Sequence, residues 1–196
     1  MRPLTVSWDN HLGDSIGGRY PHDLELAAGR RLTLAPMVPS DWQYLEAFLH
    51  SVPEEEQRFF RRDASIAERV EQWCSELDYR HVFPLLAWEG DRIVGDATLE
   101  QEPGLWTAHV AKIRTLVHPD FRRRGIGGRL LGELVELARD LGVHKLVYEC
   151  AAEQFELMDH LARRGFSPAA RLADFIRDRS GQLHDMVLLL CDLNRR

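Results

Sequence analysis

Leu116-Val117-His118-Pro119-Asp120-Phe121-Arg122-Arg123-Arg124-Gly125-Ile126-Gly127-Gly128 decides how the rest of the chain is read. An apolar run ends at His118-Pro119, where proline stops a strand. From Gly125 to Leu141 the spacing turns helical, with Leu130, Leu131, Leu134, Val135 and Ala138 facing inward until Gly142 ends the run. Strand thus passes into helix through three arginines and a glycine-rich first turn. Gly125, Gly127 and Gly128 lack Cβ atoms, so a ligand can approach the peptide N–H groups closely. Donors in a first helical turn have no intrahelical partners, and the helix dipole is positive there. The combination suits a diphosphate. Each glycine costs a helix roughly 1 kcal/mol, which close backbone approach explains.

Two other phosphate loops fit less well. A P-loop requires a Lys-Ser or Lys-Thr after the glycines, and none follows. A dinucleotide turn requires a third glycine where Leu130 stands. Glu149 does lie about 20 residues on, at the end of the next strand, as a ribose ligand would. The antiparallel strands before the motif oppose that reading.

Upstream, Leu32–Pro36 reads as a strand. Ser40-Asp41 caps a helix carrying Trp42, Leu45, Phe48 and Leu49, and Ser65 caps another carrying Ile66, Val70, Trp73 and Leu77. Between them, Phe59-Phe60-Arg61-Arg62 is either a loop anchored by its aromatics or a wall of a substrate cleft. Val82–Trp88, Arg92–Glu100 and Ala108–Val117, joined by Glu89-Gly90-Asp91 and Glu102-Pro103-Gly104, read as an antiparallel meander. Downstream come strand Lys145–Cys150, helix Phe155–Arg164 and strands Leu172–Arg177 and Met186–Leu193. The order β-α-α-β-β-β-α-β-α-β-β, with one parallel crossover at residues 108–150, predicts an α/β fold. Its mixed, mostly antiparallel sheet has six to seven strands and about four flanking helices. Residues 31–196 form the domain. Residues 1–30, rich in Gly, Asp, Asn and His, read as an arm outside the main sheet, available for a homodimer contact.

Composition narrows the classes. A net charge of −6 opposes a broad nucleic-acid surface. No run approaches the roughly 18–20 apolar residues of a membrane span. Met1 to Asp9 lacks a signal-peptide core, so a cytoplasmic location is expected. Cys74, Cys150 and Cys191 form no CxxC pair and the histidines no HxxxH or HExxH, so no metal is expected.

The segment resembles the signature of the GNAT superfamily of N-acetyltransferases, [QR]-x-x-G-x-[GA], through Arg122, Gly125 and Gly127. The likeness extends to Val117 and Pro119, the Leu-rich helix, the next strand and Gly165-Phe166. It implies acetyl-CoA as donor, its pyrophosphate on the backbone N–H groups of Arg122, Arg123, Arg124, Gly125, Ile126, Gly127 and Gly128. Leu116 and Val117 would pair with the pantetheine arm. Strands 108–117 and 145–150 would splay to admit the amine. The implied activity is acetyl transfer to a primary amine of a small molecule or a protein lysine.

The likeness fails at two positions. The glutamate some members carry before the signature is Ala111 here, and the tyrosine many use as acid is Leu161. A neutral amine still needs a base. His109, two residues from Ala111 on the same strand face, is one candidate. Glu149 on the other splayed strand is another; Tyr148, Glu100 and Glu102 stand nearby. A noncatalytic acyl-CoA-binding or sensor module is the alternative that the missing pair permits. Transfer is expected by direct attack in a ternary complex, because Cys150 lacks a neighbouring cation to activate it.

Overall fold

The computed structural model describes residues 16, 18–26, 29–57, 60, 67–101 and 106–194. Strands β1 (His22–Glu25) and β2 (Arg31–Pro36) precede helices α1 (Trp42–His50), α2 (Glu54–Gln57) and α3 (Ala67–Ser75). The meander follows as β3 (Val82–Glu89), β4 (Arg92–Glu100) and β5 (Val110–Val117). Then come α4 (Ile126–Asp140), β6 (Lys145–Ala151), α5 (Phe155–Ala162), β7 (Ser167–Arg177) and β8 (Leu183–Asp192). The sheet runs β1-β2-β3-β4-β5-β6-β8-β7 and is antiparallel except between β5 and β6.

The α/β architecture stands as expected, with eight strands instead of six to seven. The extra strand is β1, so part of the supposed arm belongs to the sheet. His22 pairs with Leu34 and Glu25 with Arg31, and Asp23 accepts a 2.7 Å hydrogen bond from Thr33 Oγ1. An edge strand of four residues with one apolar side chain, Leu24, leaves no alternation to detect. Residues 1–15, with any dimer contact there, lie outside the described residues, as do Ser65 and Ile66 of the second predicted cap. Asp41, the first, instead accepts the Val38 N–H at 2.9 Å. No helix among the described residues is long and apolar enough to cross a membrane.

Alternation along the sheet sorts its two faces. Ala97, Leu99, Ala111 and Ile113 join Leu130, Leu131, Leu134 and Leu137 of α4 in one core. Burying each such leucine contributes about 2 kcal/mol. Ala35, Leu86 and Ile93 meet Leu45, Phe48 and Leu49 of α1 and Val70 and Cys74 of α3 in the other. Helices on both faces hold the sheet rigid where β5 and β6 part. Their parallel ladder covers only Val110–Lys112 against Lys145–Val147. Beyond it the strands diverge, leaving one edge of β5 open.

Candidate active site

The first side of the site is backbone. Arg123 and Gly125 both take left-handed conformations, φ 56° and 85°, turns by which a chain gathers successive N–H groups toward an anion. Gly125 is the N-cap of α4, and no side chain caps it. The first helical bond runs from Arg129 N–H to Gly125 O at 2.9 Å. The amides of Ile126, Gly127 and Gly128 precede it and point out of the helix end. A Cβ on Gly127 would stand 3.3 Å from Val117 Cγ2, and one on Gly128 would overlap the Arg164 guanidinium.

Arg164, just beyond α5, was not singled out in the sequence. Its guanidinium lies against Gly128 in the first turn of α4, at the helix end whose dipole favours an anion. These residues fit a diphosphate.

The arginines of the run divide their roles. The Arg122 N–H already donates to Pro119 O at 3.2 Å. Its side chain donates from Nε to Val117 O at 3.0 Å and from Nη1 to Glu56 Oε1 at 2.8 Å. Arg122 therefore straps the loop to β5 and α2, and the open amides begin one residue later than expected. The Arg124 guanidinium lies over the Phe121 ring, 5.3 Å from its centre.

The second side is a cavity of about 270 Å³ where β5 and β6 separate. Leu45 and Leu49 of α1, Trp73 of α3, and Met37 and Pro84 form apolar walls, while Asp96, Glu100, Arg114, Leu116 and Glu149 line the sheet side. Phe60 is a wall of this cleft; Phe59, Arg61 and Arg62 lie outside the described residues. Glu100 pairs with Arg114, and Glu149 Oε1 stands 3.7 Å from Lys112 Nζ. The Tyr148 hydroxyl reaches across the splay to Thr115, 3.1 Å from Oγ1 and 3.2 Å from the N–H. Burial pushes its pKa up, so it stays a neutral hydroxyl.

Asp96 faces Leu116 across the β4–β5 register. Burial pushes its carboxyl up to about 6, against the pull of Arg114 and a hydrogen bond with Thr98. The sequence carried a signal for it, an acid inside the apolar run Ile93, Val94, Ala97, Leu99.

His109 and Glu149 are not brought together. His109 sits in an exposed turn before β5, its carbonyl accepting the N–H groups of His144 and Lys145 at 2.8 and 3.1 Å. Its ring lies 6.0 Å from that of His144. This is the end where β5 and β6 still pair, opposite the splay. Ala111, 1% exposed, points into the α4 core, so the face assigned to His109 is not the cleft face. Leu161 is fully buried. Cys150 is buried too, its thiol pushed up to about 11.

The sequence profile of the acetyltransferase (GNAT) family matches residues 44–166, from α1 through the glycine turn to Phe166. This chain belongs to that family. As a GNAT protein it is an N-acetyltransferase whose acyl donor is acetyl-CoA. A thialysine N-epsilon-acetyltransferase of Caenorhabditis elegans is 23% identical over 118 residues, 60% of this chain and 71% of its own. The GNAT domain of PAT from S. lividans superposes with a TM-score of 0.73 at 20% identity, covering 89% of this chain and 98% of that one. A putative acetyltransferase from Salmonella typhimurium, solved with acetyl-CoA, gives 0.70 at 17% identity over 84% and 95%. At such identities the structural likeness shows the fold alone.

Proposed function

We propose that this GNAT protein acetylates a primary amine, on a small molecule or a protein lysine, by direct attack within a ternary complex. One observation carries the reading: β5, where it leaves its ladder with β6 beyond Lys112, borders a cleft holding Asp96, Glu100 and Glu149. A carboxylate-lined cleft attracts an ammonium group and can take its proton. The noncatalytic alternative rested on a missing glutamate and tyrosine, and the cleft supplies carboxylates and a hydroxyl from other elements. The relative named for a lysine-like acceptor supports a cationic amine.

The donor's thioester supplies the reactive carbonyl when bound. The amides of Arg123 to Gly128, with Arg164, hold its diphosphate, and the edge of β5 at Leu116 and Val117 aligns its arm. Glu149 keeps its place as a carboxylate within reach of the acceptor. His109 does not line the cleft and sits at the end where β5 and β6 pair. An acyl-cysteine route is disfavoured, because a thiol raised to about 11 is protonated at neutral pH.

The test is thiol release from acetyl-CoA by the purified protein across amines and lysine peptides, repeated with Cys150→Ala. The expected outcome is turnover on at least one amine, retained by the variant. Loss of all turnover in Cys150→Ala with acetyl-CoA binding intact, together with a trapped acyl-protein, would contradict direct attack.

A further inference from the structure

The cleft's carboxylates are unequal. Glu100 is held by Arg114, Glu149 stands beside Lys112, and Glu56 is bound by Arg122. Asp96 has no ion-pair partner within 4 Å among the described residues; its hydrogen-bond partner is the Thr98 hydroxyl, with Arg114 acting from further off. Among the described residues that line the cleft, Asp96 is therefore the carboxylate without a bound cation. Across from it, α1 and α3 contribute Leu45, Leu49 and Trp73 to the lining and no charged group. A second ammonium on the same acceptor would meet apolar wall, at a desolvation cost with no return.

Asp96 is also well placed for chemistry. It stands directly opposite Leu116 across the β4–β5 ladder, and both line the cleft that opens where β5 leaves β6. We propose that Asp96 is the base that accepts the acceptor's proton, and that the cleft selects an amine carrying a single positive charge on an apolar stem. This rests on the acyl-transfer reading above and names its substrate class and its proton acceptor.

In the proton step an N–H bond of the ammonium breaks and an O–H bond forms on Asp96. The freed pair on nitrogen is then available for attack. Over the whole cycle, ammonium and thioester yield amide, thiol and one proton, which Asp96 returns to solvent.

The polar and ionisable groups that line the cleft with Asp96 are Thr98 and Glu100 on β4, Arg114 on β5, Tyr148 and Glu149 on β6 and Glu56 on α2, and the Cys74 thiol on α3 feels its charge. Pro84 of β3 and the α1 leucines add no charge. Arg114 favours the ionised acid and burial disfavours it, with burial the larger effect. The carboxylate is thus present above about pH 6 and is protonated below it, which is the poise a base at neutral pH requires.

The experiment compares wild type, Asp96→Asn and Asp96→Glu with hexylamine and spermidine as acceptors. Asp96→Asn should lower kcat at neutral pH by roughly a hundredfold or more, with acetyl-CoA affinity by calorimetry unchanged. It should lose the acidic limb of the kcat/KM profile and recover rate only as pH nears the amine's own pKa. Asp96→Glu should restore part of the rate. Independently of turnover, the infrared band of a protonated carboxyl should titrate near pH 6 in wild type and vanish in Asp96→Asn. Hexylamine should exceed spermidine in kcat/KM.

A folded Asp96→Asn with wild-type rate and limb overturns the base, and spermidine preferred over hexylamine overturns the substrate class. Wild type that binds acetyl-CoA yet acetylates no amine overturns the acyl-transfer reading and this proposal with it. Turnover by wild type keeps the two failures distinct.

Discussion

The donor side of the cleft is made by one short run, Arg123 to Gly128, whereas the acceptor side is gathered from α1, α3, β3, β4 and β6. The first side works through peptide N–H groups, so its specificity lies in missing Cβ atoms and in φ angles. The second works through side chains that the sheet order brings together from distant parts of the chain. A backbone site is local in sequence and tolerates few substitutions. A side-chain site is dispersed, and its chemistry can change by exchanging single residues.

The largest effect that would break this contrast lies on the donor side. Gly127→Val places branched carbons against Val117 and the diphosphate, and should weaken acetyl-CoA binding at least tenfold, about 1.4 kcal/mol. Titration calorimetry on the folded variant measures it. Arg164→Ala should cost less, about three- to fivefold in Kd, because an exposed guanidinium is screened by solvent. Raising salt should shrink that difference, whereas the Gly127 effect should persist.

A smaller effect sharpens the acceptor side. His184, buried at the start of β8, bonds Glu153 at 2.9 Å and Asp178 at 3.0 Å. Glu153 and then Asp178 hold its pKa above the ordinary histidine value. The pair of bonds ties the β7–β8 turn to the segment leading into α5, where Gln154 before the helix and Leu157 in its first turn line the cleft. A raised histidine pKa means this tie is fully present below about pH 6.5 and is lost as pH rises through the raised value. Amide exchange in the β7–β8 turn should therefore accelerate from neutral to alkaline pH in wild type. In His184→Gln it should be fast throughout.

The smallest effect concerns the histidine that strand spacing had favoured. His109→Ala should leave the pH–rate profile unaltered, since His109 lies at the paired end of β5 and β6. A displaced limb would return it to the mechanism.

The sequence displayed the donor side because one segment held both its strand–helix transition and its glycines. It also displayed the meander, since Val82–Glu89 and Arg92–Glu100 bury side chains in readable patterns. β1 was not legible because an edge strand with Asp and Glu in it lacks that pattern. His109 was misplaced by a single assumption about strand faces. Counting by two from Ala111 is correct along a strand, but Ala111 faces the α4 core. Asp96 belongs to the opposite face, and only the order of β3, β4, β5 and β6 reveals that this face is the cleft. Arg164 is further still from its partner Gly128 in sequence, and the return of α5 to the start of α4 brings them together.

Amide hydrogen exchange with and without acetyl-CoA reads the backbone site itself, residue by residue. Saturating acetyl-CoA should protect Arg123 to Gly128 and the β5 edge from Thr115 to Val117, while α1 and α3 exchange as before. Protection confined to α1 and α3, with the glycine turn unchanged, would contradict a donor site built from these peptide groups.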